Sequence, residues 1–325
     1  MLVRRTLLAA LGAVALAFTA SSAPAPAAGD APPTVTIAYQ PGIGYATLIV
    51  MKQSGALEKR FPGTKFDYRV LSNGDAIRDG IIAGQIQIGA GGNGPFLIGW
   101  DKGVGYKLIA AMNVMNLWLV TRDPKIKTLK DIPPNAKIGM PSPDAVQAIA
   151  LRKAALDQFG DAHKFDTNIV AIAHPLGVQA MAAGQLELHL SAPPFEFDEV
   201  AAGGHVVFRS FEAFGHSTFN SVYTTGAFNA QYPRFVEGLY RELRAATDLL
   251  NGNPDLAAEY LSKDAEGKVS AAKFKTYLRS PDIRYDTTPH LFLKTAAFMK
   301  SIGMLDKVPA NIREIELPFL NGVGD

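Results

Sequence analysis

A glycine-rich segment at residues 89–94 (GAGGNG) matches the pattern G-x-G-x-x-G, which cradles a pyrophosphate at a helix N-terminus in dinucleotide-binding proteins. Such a site also needs a preceding first strand, a substantial helix, and an acidic residue about 20 residues later. Here the preceding strand is the third one predicted, the following helix spans only residues 95–101, and the nearest acids are Asp101 and Asp123. The segment therefore predicts a structural loop and no nucleotide cofactor.

No other pattern indicates catalysis or metal binding. The chain has no cysteine, which excludes disulfides, thiol nucleophiles and zinc–thiolate sites. There is no G-x-S-x-G motif, and the six histidines show no H-x-x-x-H spacing. Glu187 and His189 stand two apart on a predicted strand, and we interpret both as solvated surface residues. We predict no catalytic residue, no metal and no cofactor.

Polar residues in the loops after the predicted strands are better candidates for chemistry. In parallel α/β units, small molecules bind beyond the carboxyl ends of the strands, where helix N-termini expose backbone N–H groups. The glycines at 91–94 permit close backbone approach to a ligand or simply form a tight turn, and Glu196 either reaches the ligand or faces water. The predicted ligand contacts are Gln40, Gly42, Tyr45, Asn73, Gly92, Asn93, Asn113, Ser142, Asp144, Gln147, His174, Phe195, Glu196 and His216.

These loops belong to two similar series of predicted elements. The first series comprises strand 35–39, helix 45–55, strand 65–71, a helix to about residue 83 and strand 85–89. The second comprises strand 136–140, a helix capped by Ser142, strand 168–173, a turn at 174–176, helix 178–183 and strand 186–190. The phrases AGQIQIG (from Ala83) and AGQLELH (from Ala183) occupy the same place in both. The alternation predicts an α/β fold with two similar lobes, each built on a parallel-type sheet.

The last third of the chain returns to the first lobe. Residues 221–227 predict the returning strand, and residues 234–250 predict a long amphipathic helix. Its apolar face contains Phe235, Leu239, Leu243, Ala246 and Leu250. Crossings near residues 117–122 and 215–223 predict a two-crossing hinge. We therefore expect a first lobe from residues 34–118 and 219–325, and a second lobe from residues 119–218.

The N-terminus predicts export. Arg4 and Arg5 precede an apolar run of about a dozen residues and a small-residue cleavage site at 25–27, so residues 1–27 read as a signal peptide. Without a cysteine there is no acylated anchor, and we expect a periplasmic protein. Removing Arg4 and Arg5 leaves 30 basic against 30 acidic residues, which predicts no general attraction to nucleic acid.

Several longer segments match a known family in order. They are GALEKRFPG (55–63), LSNGDAIRDGIIAGQIQIGAGGNGPFL (71–97), LWLVTRDPKIKTLKDIPPNAKIGMPSPDAVQAIALRKAAL (117–156), GVQAMAAGQLELHLSAPPF (177–195) and VYTTGAFNAQYPRFVEGLYREL (222–243). Together they resemble the nitrate/sulfonate/taurine-type periplasmic substrate-binding proteins of ABC importers, which include binders of thiamine-precursor pyrimidines. The resemblance covers nearly the whole chain after residue 27.

The resemblance implies a type II periplasmic binding protein fold that closes on a small molecule and docks on an ABC permease in the inner membrane. The family's ligand residues map onto the loops after the strands, including Asn93, Ser142 and residues 195–196. Gln87 and Glu187 depart from the Asp usual in the family, and Asp144 beside a helix N-terminus disfavours a small anion. A sulfonate, an aromatic carboxylate and a pyrimidine-like solute all remain open.

We expect a monomeric receptor that is not an enzyme. Two alternatives remain open at this stage. One is a secreted enzyme related to the pyrimidine-synthesising members of this fold, whose chemistry depends on a cysteine-rich motif that this chain lacks. The other is a sensor that presents its ligand to a membrane kinase.

Overall fold

The computed structural model describes residues 31–325, and the predicted signal peptide lies outside these residues. The strands, in chain order, are β1 (Thr34–Tyr39), β2 (Lys65–Val70), β3 (Ile88–Gly92), β4 (Tyr106–Met115), β5 (Trp118–Thr121), β6 (Ile138–Met140), β7 (Ile169–Ala171), β8 (Leu188–Leu190), β9 (His205–Arg209), β10 (Thr218–Thr225) and β11 (Ile283–Tyr285).

The helices surround these strands. In chain order they are α1 (Ala46–Ser54), α2 (Ala56–Arg60), α3 (Gly74–Ile82), α4 (Asn93–Asp101), α5 (Val146–Phe159), α6 (His174–Ala182), α7 (Phe195–Ala201), α8 (Phe211–Phe214), α9 (Gly226–Gln231), α10 (Pro233–Gly252), α11 (Pro254–Asp264), α12 (Ala271–Leu278) and α13 (Phe292–Ser301). Among the described residues, no helix is both long and apolar enough to cross a membrane.

Two sheets with the same connectivity form the two lobes. The first sheet has the order β11-β4-β10-β3-β1-β2 and the second has the order β7-β6-β8-β5-β9. In each, the first three strands of the lobe pair in parallel, and a strand that arrives from the other lobe pairs antiparallel beside them. That arriving strand is β10 in the first lobe and β5 in the second. The predicted fold class, two similar lobes joined by a two-crossing hinge, is confirmed.

The long helix α10 covers one face of the first sheet. Its five predicted apolar residues, Phe235 to Leu250, are all buried, so this amphipathic prediction is confirmed. The predicted stripe on α5 is only partly right. Leu156 is exposed, because the helix packs through Ala148, Leu151 and Ala155 against the second core.

Two predicted local structures near the cleft are wrong. Ser142 does not cap α5; its hydroxyl accepts a hydrogen bond from Asp144 N at 3.3 Å within a separate turn, and the helix begins at Val146. Residues 174–176 do not form a free turn, because α6 already begins at His174. Pro175 is tolerated there, since the first helical turn leaves backbone N–H groups unpaired anyway.

Candidate ligand-binding cleft

A small cavity lies where the two lobes meet. Its volume is about 30 Å³, room for about two water molecules. It is lined by Gln40, Pro41, Gly44, Tyr45, Gly74, Gly92, Pro95, Pro141, Ser142, Ala145, Val146, Gln147, His174, Ala192, Pro193, Phe219 and Asn220. None of these side chains carries a full charge at neutral pH. The N-terminal ends of α4, α5 and α6 contribute Gly92, Ala145 and His174 to this lining.

The lobes touch directly around this cavity. A Cβ added to Gly92 would lie 2.8 Å from Cγ2 of Val146 in the second lobe. A Cβ added to Gly94 would overlap the carbonyl oxygen of Asp144 and lie 2.5 Å from Cδ1 of Ile149. The contact surface therefore depends on two glycines of the first lobe, which let the backbones approach.

The structure brings six of the predicted ligand residues to the cavity wall: Gln40, Tyr45, Gly92, Ser142, Gln147 and His174. Two predicted asparagines lie behind the wall instead. Asn93 donates to Thr218 O at 2.8 Å, and Asn113 donates to Gly44 O at 2.6 Å. Glu196 is fully buried and accepts a hydrogen bond from Trp118 N at 3.0 Å.

The remaining predicted residues lie near the cleft without lining this cavity. Gly42 and Phe195 line a second inter-lobe cavity of about 230 Å³. Asn73 caps α3 by accepting a hydrogen bond from Ala76 N at 2.9 Å. Asp144 lies 3.8 Å from the guanidinium of Arg78. His216 packs on Phe211 with ring centroids 4.3 Å apart.

The first lobe presents a network of neutral groups to the cavity. Gln40 Nε2 donates to the hydroxyl of Tyr45 at 2.8 Å, and this hydroxyl lies 3.2 Å from Asn220 Oδ1, to which it donates. Asn220 Nδ2 is buried and has no hydrogen-bond partner within residues 31–325. Because an unpaired buried donor is costly, this atom is a natural place for a ligand acceptor.

The second lobe presents the end of a buried polar chain. Gln147 Nε2 lies 3.1 Å from His174 Nε2, and His174 Nδ1 lies 3.1 Å from His189 Nε2. His189 Nδ1 in turn lies 2.5 Å from Glu199 Oε1. The four side chains come from α5, α6, β8 and α7, and we call them the relay. It connects the cavity wall to a carboxyl group that is almost fully buried.

Burial sets the ionisation of the relay. It lowers the pKa of His174 well below its ordinary value and the pKa of His189 to about 3, so both imidazoles are neutral at physiological pH. It raises the pKa of Glu199 to about 8, with a further increase from the charge of Asp198. The pKa of Glu196, on the same helix, is also raised by burial.

A family model for the NMT1-like family matches residues 28–262. This chain belongs to the NMT1-like family. Among curated protein sequences, none matches this NMT1-like chain significantly.

Solved structures similar to this NMT1-like protein are binding components of import systems. The alkanesulfonate-binding protein SsuA from Xanthomonas axonopodis pv. citri, bound to MOPS, is 19% identical with a TM-score of 0.70, over 85% of this chain and 95% of that one. SsuA from Escherichia coli is 19% identical with a TM-score of 0.66, over 88% and 92%. The nitrate-binding protein NrtA from Synechocystis PCC 6803 is 14% identical with a TM-score of 0.71, over 90% and 86%. At these identities the likeness shows the fold.

Sequence reasoning missed three residues of this NMT1-like cleft: Asn220, His189 and Glu199. The interpretation of His189 as solvated surface is wrong, because its side chain is 0% exposed. Its ring fits because Gly177 lies above it; a Cβ there would be 2.5 Å from His189 Nε2. The signal was present as a glycine in the helix facing a histidine in the strand, but only the structure pairs the two. Within the described residues, no group of three or more His, Asp or Glu side chains is placed to hold a metal.

Proposed function

We propose that this protein is a periplasmic solute-binding receptor that captures a small organic solute between its lobes and delivers it to an ABC importer. The observation that carries the proposal is the cavity itself. It lies at the carboxyl ends of parallel strands, and both lobes supply its polar groups and helix N-termini. The binding components with the same fold take a sulfonate and nitrate, which supports a small polar solute here.

The uncharged lining favours a neutral, planar solute over a small anion. Asn220 offers an unpaired donor on one side, Gln147 offers an amide on the other, and Tyr45 and Phe219 supply aromatic faces. A pyrimidine-like heterocycle matches this pattern of donors, acceptors and rings. A sulfonate or an aromatic carboxylate would have to rely on the helix N-termini for its charge.

Capture requires the lobes to move. A cavity of about 30 Å³ is too small for a heterocycle, so the solute enters a more open form and then holds the lobes together through contacts with both. In this proposal the lobes are residues 34–118 with 219–325, and residues 119–218. The permease recognises the closed, ligand-bound monomer after export directed by residues 1–27.

The test is a ligand screen by thermal unfolding on wild type and on Gly94→Leu. The added side chain would overlap Asp144 of the other lobe and hold the cleft open, while Gly63→Leu is a control because nothing lies within 4 Å of a Cβ there. Protein is unfolded and refolded beforehand to remove retained ligand. The panel contains thiamine-precursor pyrimidines, aromatic carboxylates, alkyl sulfonates, taurine and nitrate.

A ligand at 100 times its Kd should stabilise wild type and Gly63→Leu by about 2.7 kcal/mol. Gly94→Leu should lose most of this stabilisation, because only one lobe can then contact the ligand. Equal stabilisation of Gly94→Leu and wild type would contradict capture between the lobes. No stabilisation by any compound would contradict the proposed solute classes.

A further inference from the structure

The relay runs from the cavity wall into the interior of the second lobe without a break. Its three links have heavy-atom distances of 3.1, 3.1 and 2.5 Å. Each histidine uses both ring nitrogens in the relay, one toward the cleft and one toward Glu199. Within residues 31–325, the only partner of the Gln147 amide is His174, through Nε2.

A neutral imidazole has one N–H donor and one acceptor nitrogen, so the direction of one link dictates the direction of the next. If Glu199 is ionised, it accepts from His189 Nδ1–H, His189 Nε2 accepts from His174 Nδ1–H, and His174 Nε2 accepts from the Gln147 amide nitrogen. The Oε1 atom of Gln147 is then left to face the cleft.

If Glu199 carries a proton, every link reverses. The carboxyl donates to His189 Nδ1, His189 Nε2–H donates to His174 Nδ1, and His174 Nε2–H requires an acceptor. Gln147 satisfies this donor by turning its amide through 180°, which leaves its NH₂ group to face the cleft. A mixed arrangement would place two donors or two acceptors against each other inside the lobe, at a cost of about 1–3 kcal/mol.

The groups around Glu199 leave the carboxyl as the group that titrates. His189 faces it from β8, Asp198 and Glu196 share its helix, and Arg209 of β9 acts on Glu196. The neighbouring strand β5 contributes no titratable side chain. Burial places the pKa of Glu199 near 8 and that of His189 near 3, so the carboxyl takes up its proton first as the pH falls.

We infer that the protonation state of Glu199 determines, through His189 and His174, whether Gln147 presents its amide oxygen or its NH₂ group to the cleft. With Glu199 ionised the cleft selects a solute with a hydrogen-bond donor at this position, such as a ring amino group. With Glu199 protonated it selects an acceptor, such as a ring nitrogen. The consequence for the ligand rests on the proposed function, but the proton order of the relay does not.

The experiment reads the tautomers directly and needs no ligand. Protein labelled with ¹⁵N-histidine is titrated from pH 6 to pH 9.5, and long-range ¹H–¹⁵N correlations assign the protonated nitrogen of each ring. We expect His174 and His189 to stay neutral and to change together from Nε2–H to Nδ1–H, with one common midpoint near pH 8. The Gln147 side-chain amide signals should shift with the same midpoint.

Two carboxylate variants complete the test. In Glu199→Gln the tautomers should no longer depend on pH, whereas Glu187→Gln, at an exposed residue two positions before His189, should behave as wild type. Unchanging tautomers in wild type, separate midpoints for the two rings, or a persisting change in Glu199→Gln would each overturn the inference. The wild-type titration decides the matter even if a variant fails to fold. A relay that behaves as expected in a protein that binds no solute would overturn only the proposed function.

Discussion

The two lobes use one backbone design with opposite side chains at the same corner, defined here as residues 77–89 in the first lobe and 177–189 in the second. In the first lobe, the strand residue Gly89 lies under Ile77; a Cβ on Gly89 would be 2.9 Å from Ile77 Cγ2. In the second lobe, the strand residue His189 lies under Gly177. The large and small residues have exchanged places between strand and helix.

This exchange changes what the corner can do. In the first lobe the space is filled by Ile77 and by the ring of Tyr223, and the cavity wall is held by the neutral Gln40–Tyr45–Asn220 network. In the second lobe the same space holds an imidazole that joins the cavity wall to a titratable carboxyl. The comparison teaches that one residue pair decides whether a half of the cleft responds to pH.

Transplanting the first-lobe pair into the second lobe should have the largest effect on stability. His189→Gly removes a fully buried ring and leaves a void, and Gly177→Ile places a side chain where the ring lies, so each should cost about 3 kcal/mol in the free energy of unfolding. Together they exchange the two volumes, and we expect a favourable coupling of about 1–3 kcal/mol. Urea unfolding of both single variants and the double variant measures this coupling.

The control for this cycle is Gly252→Ile at the exposed end of α10, where nothing lies within 4 Å of a Cβ. It should not couple to His189→Gly. Strictly additive costs for Gly177→Ile and His189→Gly would show that the two corners are not equivalent packing solutions.

The pH dependence of stability should separate the lobes next. The folded-state pKa of Glu199 is raised from 4.5 to about 8, so between these values the folded chain holds a proton that the unfolded chain has released. The free energy of unfolding therefore falls as the pH rises through this window, by up to about 1.4 kcal/mol per pH unit from this one group. Glu199→Gln removes the group. We expect the variant to gain on wild type steadily from pH 5 to pH 8.

Denaturant unfolding at pH 5, 6.5 and 8 measures this gain, with Glu187→Gln as the exposed control that follows wild type. A constant difference between Glu199→Gln and wild type across these three pH values would mean that the carboxyl does not titrate in the window. The second lobe would then be as insensitive to pH as the first.

The elements that build both lobes could be predicted from the sequence because their signals are local. The apolar face of α10 repeats at helical spacing, and the two AGQ phrases mark a helix, a tight turn and a strand in the same order. The ends of elements were harder to predict. Ser142 has the chemistry of a helix cap, yet the turn that it forms is set by packing against Gly94 across the cleft.

The polar interior of the cleft could be predicted only in part. Gln147 and His174 follow predicted strands and were found for that reason, but His189 and Glu199 lie inside a strand and a helix. Their burial depends on Gly177, which belongs to another element. Asn220 lies in the middle of β10, and nothing in the sequence marks its amide as facing the cavity. Contacts between elements distant in sequence decide these roles.

The first lobe should show the smallest and simplest response. The hydroxyl of Tyr45 accepts from Gln40 and donates to Asn220, so Tyr45→Phe should cost about 1 kcal/mol in the free energy of unfolding. Burial raises the pKa of Tyr45 above its ordinary value of 10, so the hydroxyl stays neutral and the cost should be the same at pH 6 and pH 9. The matched control is Tyr240→Phe, whose ring packs on Phe319 at the half-buried surface of α10 and whose loss of hydroxyl should change stability by less than about 0.5 kcal/mol. Urea unfolding at both pH values measures the difference. A cost for Tyr45→Phe that changes with pH would mean that a titratable group also reaches the first-lobe network, and the contrast between a neutral and a pH-responsive half of the cleft would fail.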